Sequence, residues 1–181
     1  CIPNMIVSAP MNEQELRNLM YTAQFKDMGP FSIRYPRGQG VMPEWKTVLE
    51  KIEIGKGRKL NDGEGVAVLT IGNIGNYAAA AIKELNDEGV KPAHYDMRFV
   101  KPLDEEMLHE VFSKFKRVVT VEDGCVQGGF GSAILEFISD EDLGVKVKSF
   151  ECKDIFVQHG DTKLLEEDLG LLPSQLAKQI K

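Results

Sequence analysis

No apolar stretch in the sequence approaches the roughly 18 residues needed to cross a bilayer, and no signal peptide stands at its start. Both absences lead to the expectation of a soluble, cytoplasmic protein. Positive charge is also in short supply, with 22 Lys and Arg against 28 Asp and Glu and a formal charge of −6. That sign argues against a nucleic-acid or anionic-membrane surface, while a local basic pocket for a small phosphate remains compatible with it. Cysteine is scarce: Cys1, Cys125 and Cys152 are an odd number without metal-type spacing. They read as free thiols in a reducing compartment. The histidines His94, His109 and His159 are scattered singly and give a metal site little support. An initiator Met is missing too, and Ile2 to Val7 already looks like the entry to a strand. The chain is therefore expected to begin inside a domain and to be a fragment.

What is there is organised around residues 117–138. Arg117 to Glu122 is a β-branched run, Gly124 to Gly131 a glycine-rich turn, and Ser132 to Ile138 an apolar helix, the pattern of one strand-turn-helix unit in a parallel sheet. Glycines at 124, 128, 129 and 131 could cradle a phosphate at a helix N-terminus. Their spacing is not the dinucleotide fingerprint, and no Lys-Ser or Lys-Thr follows as in a P-loop. A tight turn with close helix-to-strand packing is the preferred reading. Cys125 beside that turn has no histidine near it in sequence and reads as a small buried thiol rather than a nucleophile.

Upstream, Ile6 to Ala9 is a short strand that Pro10 ends. Asn12 with Glu15 three residues on is a capping-box-like start, and Leu16, Leu19, Met20 and Ala23 continue at helical spacing. Phe31 to Tyr35 alternates as a strand. Between Gly38 and about Gly65 no long periodic run occurs, which marks a surface linker with at most a short strand at Glu53 to Gly55. Beyond it, strands at Val66 to Ile71, Lys91 to Asp96, Arg117 to Glu122 and Val145 to Phe150 alternate with helices, and two short helices follow near Lys163 to Leu169 and Pro173 to Ile180. The expected fold is α/β, with a mostly parallel sheet flanked by helices.

Two stretches could carry chemistry. Arg34-Tyr35-Pro36-Arg37-Gly38 places two guanidinium groups at the end of a strand, where ligands gather in open α/β sheets. Arg offers a planar fork suited to phosphate, although ordinary surface or interdomain salt bridges account for the same pentapeptide. Asp96 to Asp104 mixes charge with large apolar groups after a strand, and suits a packed contact with another domain better than catalysis. Arg98 with Asp96 or Asp104 could neutralise charge buried there.

These segments also carry a resemblance. Arg34 to Gly38, Ile54-Gly55-Lys56-Gly57, Asp96 to Asp104, Thr120 to Asp123 and Gly128 to Ser132 stand in an order that resembles the 1-deoxy-D-xylulose-5-phosphate synthase family of transketolase-like enzymes. Cys1 to Met5 and Phe156 to Gly160 fit as well. The resemblance implies a thiamine diphosphate and Mg²⁺ enzyme that condenses pyruvate with glyceraldehyde 3-phosphate, releases carbon dioxide, serves isoprenoid and thiamine biosynthesis, and works as a homodimer. It implies residues 1–40 as the C-terminal part of the pyrimidine-binding domain, 41–64 as a linker and 65–181 as the transketolase C-terminal domain. Arg37 would hold the phosphate of glyceraldehyde 3-phosphate, with Arg34 in support. The metal motif and the activating glutamate would precede Cys1, so the chain alone is expected to hold no cofactor, carry no catalytic residue and be inactive. His159 receives no role. Alternatives are a β subunit of a 2-oxoacid dehydrogenase, a transketolase proper, or a non-catalytic dimerisation or regulatory module.

Overall fold

A computed structural model describes residues 2–181. Strand β1 (Ile6–Ser8), helix α1 (Glu13–Thr22) and strand β2 (Phe31–Ile33) open the chain. Strands β3 (Arg58–Asn61) and β4 (Ala67–Thr70), helix α2 (Gly75–Asp87), and strands β5 (Ala93–Asp96) and β6 (Phe99–Lys101) follow. Helix α3 (Glu105–Lys114), strand β7 (Arg117–Cys125), helix α4 (Phe130–Asp140) and strand β8 (Lys146–Cys152) lead to α5 (Thr162–Asp168) and α6 (Pro173–Ile180).

The main sheet has the order β3-β5-β4-β7-β8. Its β5, β4, β7 and β8 are parallel, and β3 is added antiparallel at one edge. Alternation along β4 decides which face each side chain covers. Ala67, Leu69 and Ile71 face a layer with Leu108, Val111, Phe112 and Ile134 of α3 and α4. Val66 and Val68 face the opposite layer with Ala78, Ile82, Leu85, Leu176 and Ile180 of α2 and α6. Helices therefore cover both faces, as the near-continuous apolar runs of the strands require.

A second sheet, β2-β1-β6, sits beside it. β1 is parallel to β2 and antiparallel to β6. Through β6 the Asp96 to Asp104 run packs against the N-terminal segment. Phe99 is fully buried with Ile6, Leu19 and Ile52, and Ala9 N–H donates to the Arg98 carbonyl at 2.9 Å. Two details differ from the sequence reading. Glu53 to Gly55 forms no strand; the strand in that region is β3, inside the stretch read as linker. β6 was also not expected, and it exists because β1 supplies its partner.

Two side-chain caps start helices, and the first is the one expected at Asn12. Asn12 Oδ1 accepts from Glu15 N–H at 3.0 Å and starts α1. Asp104 Oδ1 accepts from Met107 N–H at 3.1 Å and starts α3, while its Oδ2 accepts from Gly57 N–H at 2.9 Å. No helix of the described residues is long and apolar enough to cross a membrane.

Candidate functional site

The carboxyl ends of β1, β4 and β7 open on a cleft of about 250 Å³, whose lining includes Ser8, Arg34, Ile71, Glu122, Cys125 and Phe130. Arg34 follows β2 directly, and the parallel pairing of β2 with β1 aims the chain exit at this end of the sheet. Its Nη2 donates to Asp123 Oδ1, an ion pair between half-exposed groups. A small hollow lined by Arg34, Tyr35, Pro36, Gly72, Asn73 and Asp123 adjoins the cleft.

Arg37 is placed differently. It is exposed beyond the β2 turn and lines neither hollow. Among the described residues its guanidinium has no ion-pair or hydrogen-bond partner. The two arginines singled out from the sequence thus have unequal surroundings: Arg34 is held by a carboxylate, and Arg37 is unpaired.

The glycine turn takes its shape from two glutamates. Glu122 is buried, and its Oε1 accepts from Gly131 N–H at 2.8 Å, at the first turn of α4. The helix N-terminus, where a phosphate would bind, is thus occupied by the protein's own carboxylate. Space is the reason for glycine here. A Cβ on Gly129 would lie 2.4 Å from the Cys125 carbonyl and 2.6 Å from Glu122 Oε1, and one on Gly131 would lie 2.8 Å from Ser149 Oγ. Close packing is the role of these glycines, in line with the preferred sequence reading.

Next to Glu122, Glu151 on β8 is pushed up to about 7, first by burial and then by its hydrogen bond to Glu122. A neutral Glu151 carboxyl is favoured beside Glu122, because two adjacent anions repel where water is partly excluded. Glu151 therefore costs stability at neutral pH. Below about 4.5 it is protonated in both folded and unfolded chains. As pH rises toward 7 the unfolded chain releases a proton that the folded one keeps, so stability falls over that window. Glu151→Gln is expected to stabilise the chain at pH 8 by about 1–2 kcal/mol more than at pH 4.5, after discounting for solvent screening. Urea midpoints at the two pH values check this, and equal gains would contradict it.

A second polar cluster joins the N-terminal segment to the main sheet. Arg98 donates to Glu15 from Nε at 2.7 Å and Nη2 at 3.0 Å. Arg58 donates to Glu15 Oε1 from Nη1 at 3.0 Å and to Asp96 Oδ2 from Nε at 3.0 Å. Asp96 Oδ1 in turn accepts from Arg98 N–H at 3.2 Å, holding Arg98 at φ +57, a left-handed conformation uncommon outside glycine. Burial pushes the Asp96 carboxyl up, with Arg58 opposing. Glu15 was legible only as a capping residue, and Arg98 ion-pairs with it rather than with Asp104. No local pattern signals Arg58, whose partners come from α1 and β5.

Cys125 is exposed, not buried as the sequence suggested, because it lies past an irregularity in the β7–β8 ladder. Cys1 lies outside the described residues. His159 is exposed. Among the described residues no group of three or more His, Cys, Asp or Glu side chains is arranged to hold a metal ion.

Comparison with known proteins gives this geometry a context. The 1-deoxy-D-xylulose-5-phosphate synthase of Cytophaga hutchinsonii is 60% identical over 100% of this chain, and that of Bacteroides thetaiotaomicron is 53% identical over 99%. The chain spans 29% and 28% of the length of these two relatives. Among solved structures, a split-gene transketolase described as an inactive beta4 tetramer superposes with a TM-score of 0.84 at 29% identity, over 99% of this chain and 57% of that one. The transketolase of Campylobacter jejuni, at 16% identity and a TM-score of 0.68 over 98% of this chain and 26% of that one, shares the fold. Residues 55–176 match the family described as transketolase, C-terminal domain. With that match over more than half its length, and alignment from end to end with part of the 1-deoxy-D-xylulose-5-phosphate synthases, the chain belongs to the transketolase C-terminal domain family.

Proposed function

We propose that the chain is the C-terminal part of a cytoplasmic 1-deoxy-D-xylulose-5-phosphate synthase that condenses pyruvate with glyceraldehyde 3-phosphate and releases carbon dioxide. In this reading residues 1–40 close the pyrimidine-binding domain, 41–64 connect, and 65–181 form the C-terminal domain. Identity of 60% over the full chain supports it over transketolase, for which the split-gene relative reaches 29%. In the parent homodimer, thiamine diphosphate and Mg²⁺ supply the acyl-carbanion chemistry. Among the described residues no group of three or more His, Cys, Asp or Glu side chains is arranged to hold that ion.

The role assigned to this chain is to grip the acceptor. Arg37, exposed and without a partner at the strand end, is the observation that carries it. An unpaired guanidinium offers its full fork to a phosphate dianion. Arg34, anchored by Asp123, supports from the cleft side. Held at its phosphate, the aldehyde gains orientation toward the reacting carbon without taking part in bond formation.

Arg37→Ala in the full-length enzyme is expected to lower kcat/KM for glyceraldehyde 3-phosphate by roughly tenfold to a hundredfold, the worth of one or two charged hydrogen bonds. KM for pyruvate should stay as it was. Steady-state kinetics with each substrate varied checks this, and an unchanged acceptor KM would remove Arg37 from the site.

A further inference from the structure

Cys125 and Cys152 stand opposite each other. They are Cα partners in the parallel β7–β8 ladder, on the far side of the irregularity that follows Val121. Neighbouring strands lie about 4.7–4.9 Å apart, within the Cα separation of about 4.4–6.8 Å that a disulfide bridges. Both are free thiols, Cys125 exposed and Cys152 partly buried. Cys152 Sγ lies 3.9 Å from the Asp123 carbonyl and Cys125 Sγ 3.7 Å from Gln127 Oε1. Burial and then the Asp123 carboxylate push the Cys152 thiol up, and Cys125 contributes in the same direction. An exposed thiol with a second, more protected one in register is the arrangement of an attacking and a resolving cysteine.

We propose that Cys125 and Cys152 form a reversible dithiol–disulfide site that a hydroperoxide oxidises, tying the glycine turn to the end of β8. The Cys125 thiolate attacks the outer oxygen of the peroxide, breaking the O–O bond and leaving a sulfenic acid and an alcohol or water. The Cys152 thiolate then attacks that sulfur and expels hydroxide, which leaves as water. In sum two thiols lose two electrons and two protons, and the peroxide is reduced. An external dithiol reverses the reaction, as expected of a disulfide in a reducing compartment. Asp123 stands two residues before Cys125 and holds Arg34, so the bond would fix one wall of the cleft. The proposal is independent of the substrate assigned to that cleft.

The test uses the full chain carrying Cys1→Ser, treated with stoichiometric hydrogen peroxide. Both remaining thiols should be lost, the mass should fall by two hydrogens, and peptide mapping should find a Cys125–Cys152 link within one chain that dithiothreitol reopens. The folded chain should form it roughly tenfold faster than the chain in urea, since the ladder holds the pair in place. With Cys152→Ser added, Cys125 should stop at a sulfenic acid that dimedone traps. Retention of both thiols, oxidation of Cys125 to sulfinic acid with Cys152 intact, links only between chains, or an equal rate in urea would each overturn the proposal.

Discussion

Glu15→Ala is expected to lower the unfolding free energy by about 3–5 kcal/mol, the cost of removing one partner from a buried ion pair. Glu15 is 4% exposed and receives hydrogen bonds from both Arg58 and Arg98. Truncation leaves two partly buried guanidinium groups with Asp96 as their remaining carboxylate. Arg98 would also lose one of the two anchors that hold its left-handed backbone. Because Glu15 belongs to α1 while its partners follow β5 or begin β3, the loss falls on the junction between the small and main sheets. Urea unfolding should show a lower midpoint. A reduced slope as well would mean that the N-terminal segment separates before the main sheet unfolds. A change under 1 kcal/mol would show the cluster to be effectively solvated.

His94 gives the largest pH effect. It is 1% exposed, with Nε2 3.0 Å from Thr70 Oγ1. Burial, helped by the positive charge of Arg58, lowers it from 6.5 to about 4. The folded chain therefore keeps a neutral imidazole where the unfolded chain takes up a proton. Its contribution is fully present above about 6.5 and is lost as pH falls toward 4. The interval corresponds to about 3 kcal/mol. His94→Gln cannot take up that proton, so the stability difference between wild type and variant should shift by about 3 kcal/mol between pH 7 and pH 4. A constant difference across that range would contradict the assignment. Glu151 acts with the opposite sign over an overlapping interval, so the wild-type profile is shallower than either group alone would make it.

Much of the fold is written locally. Val66 to Ile71, Arg117 to Glu122 and the helices between the main strands are long enough for periodicity to give their type and order. β6 is three residues long and is made by pairing with β1, far away in sequence. No window around Phe99 contains that information. β3, Arg-Lys-Leu-Asn, has little strand propensity of its own and forms because β5 presents a free edge. The site divides in the same way. Arg34 and Arg37 were legible because a strand end and a proline turn announce themselves in five residues. Asp123, Glu151 and Arg58 were not, because each acquires its role from a partner on another element. Cys125, with no histidine near it in sequence, reads as a small buried thiol, whereas it lies past an irregularity in the ladder and is exposed to solvent.

In the proposed division of labour, this chain would hold the phosphate end of the acceptor while other residues of the full-length enzyme generate the nucleophile. The most direct test supplies the purified 181-residue chain with thiamine diphosphate, Mg²⁺, pyruvate and glyceraldehyde 3-phosphate, and measures 1-deoxyxylulose 5-phosphate. No product above the protein-free control is the expected result. Sustained turnover by the chain alone would contradict it.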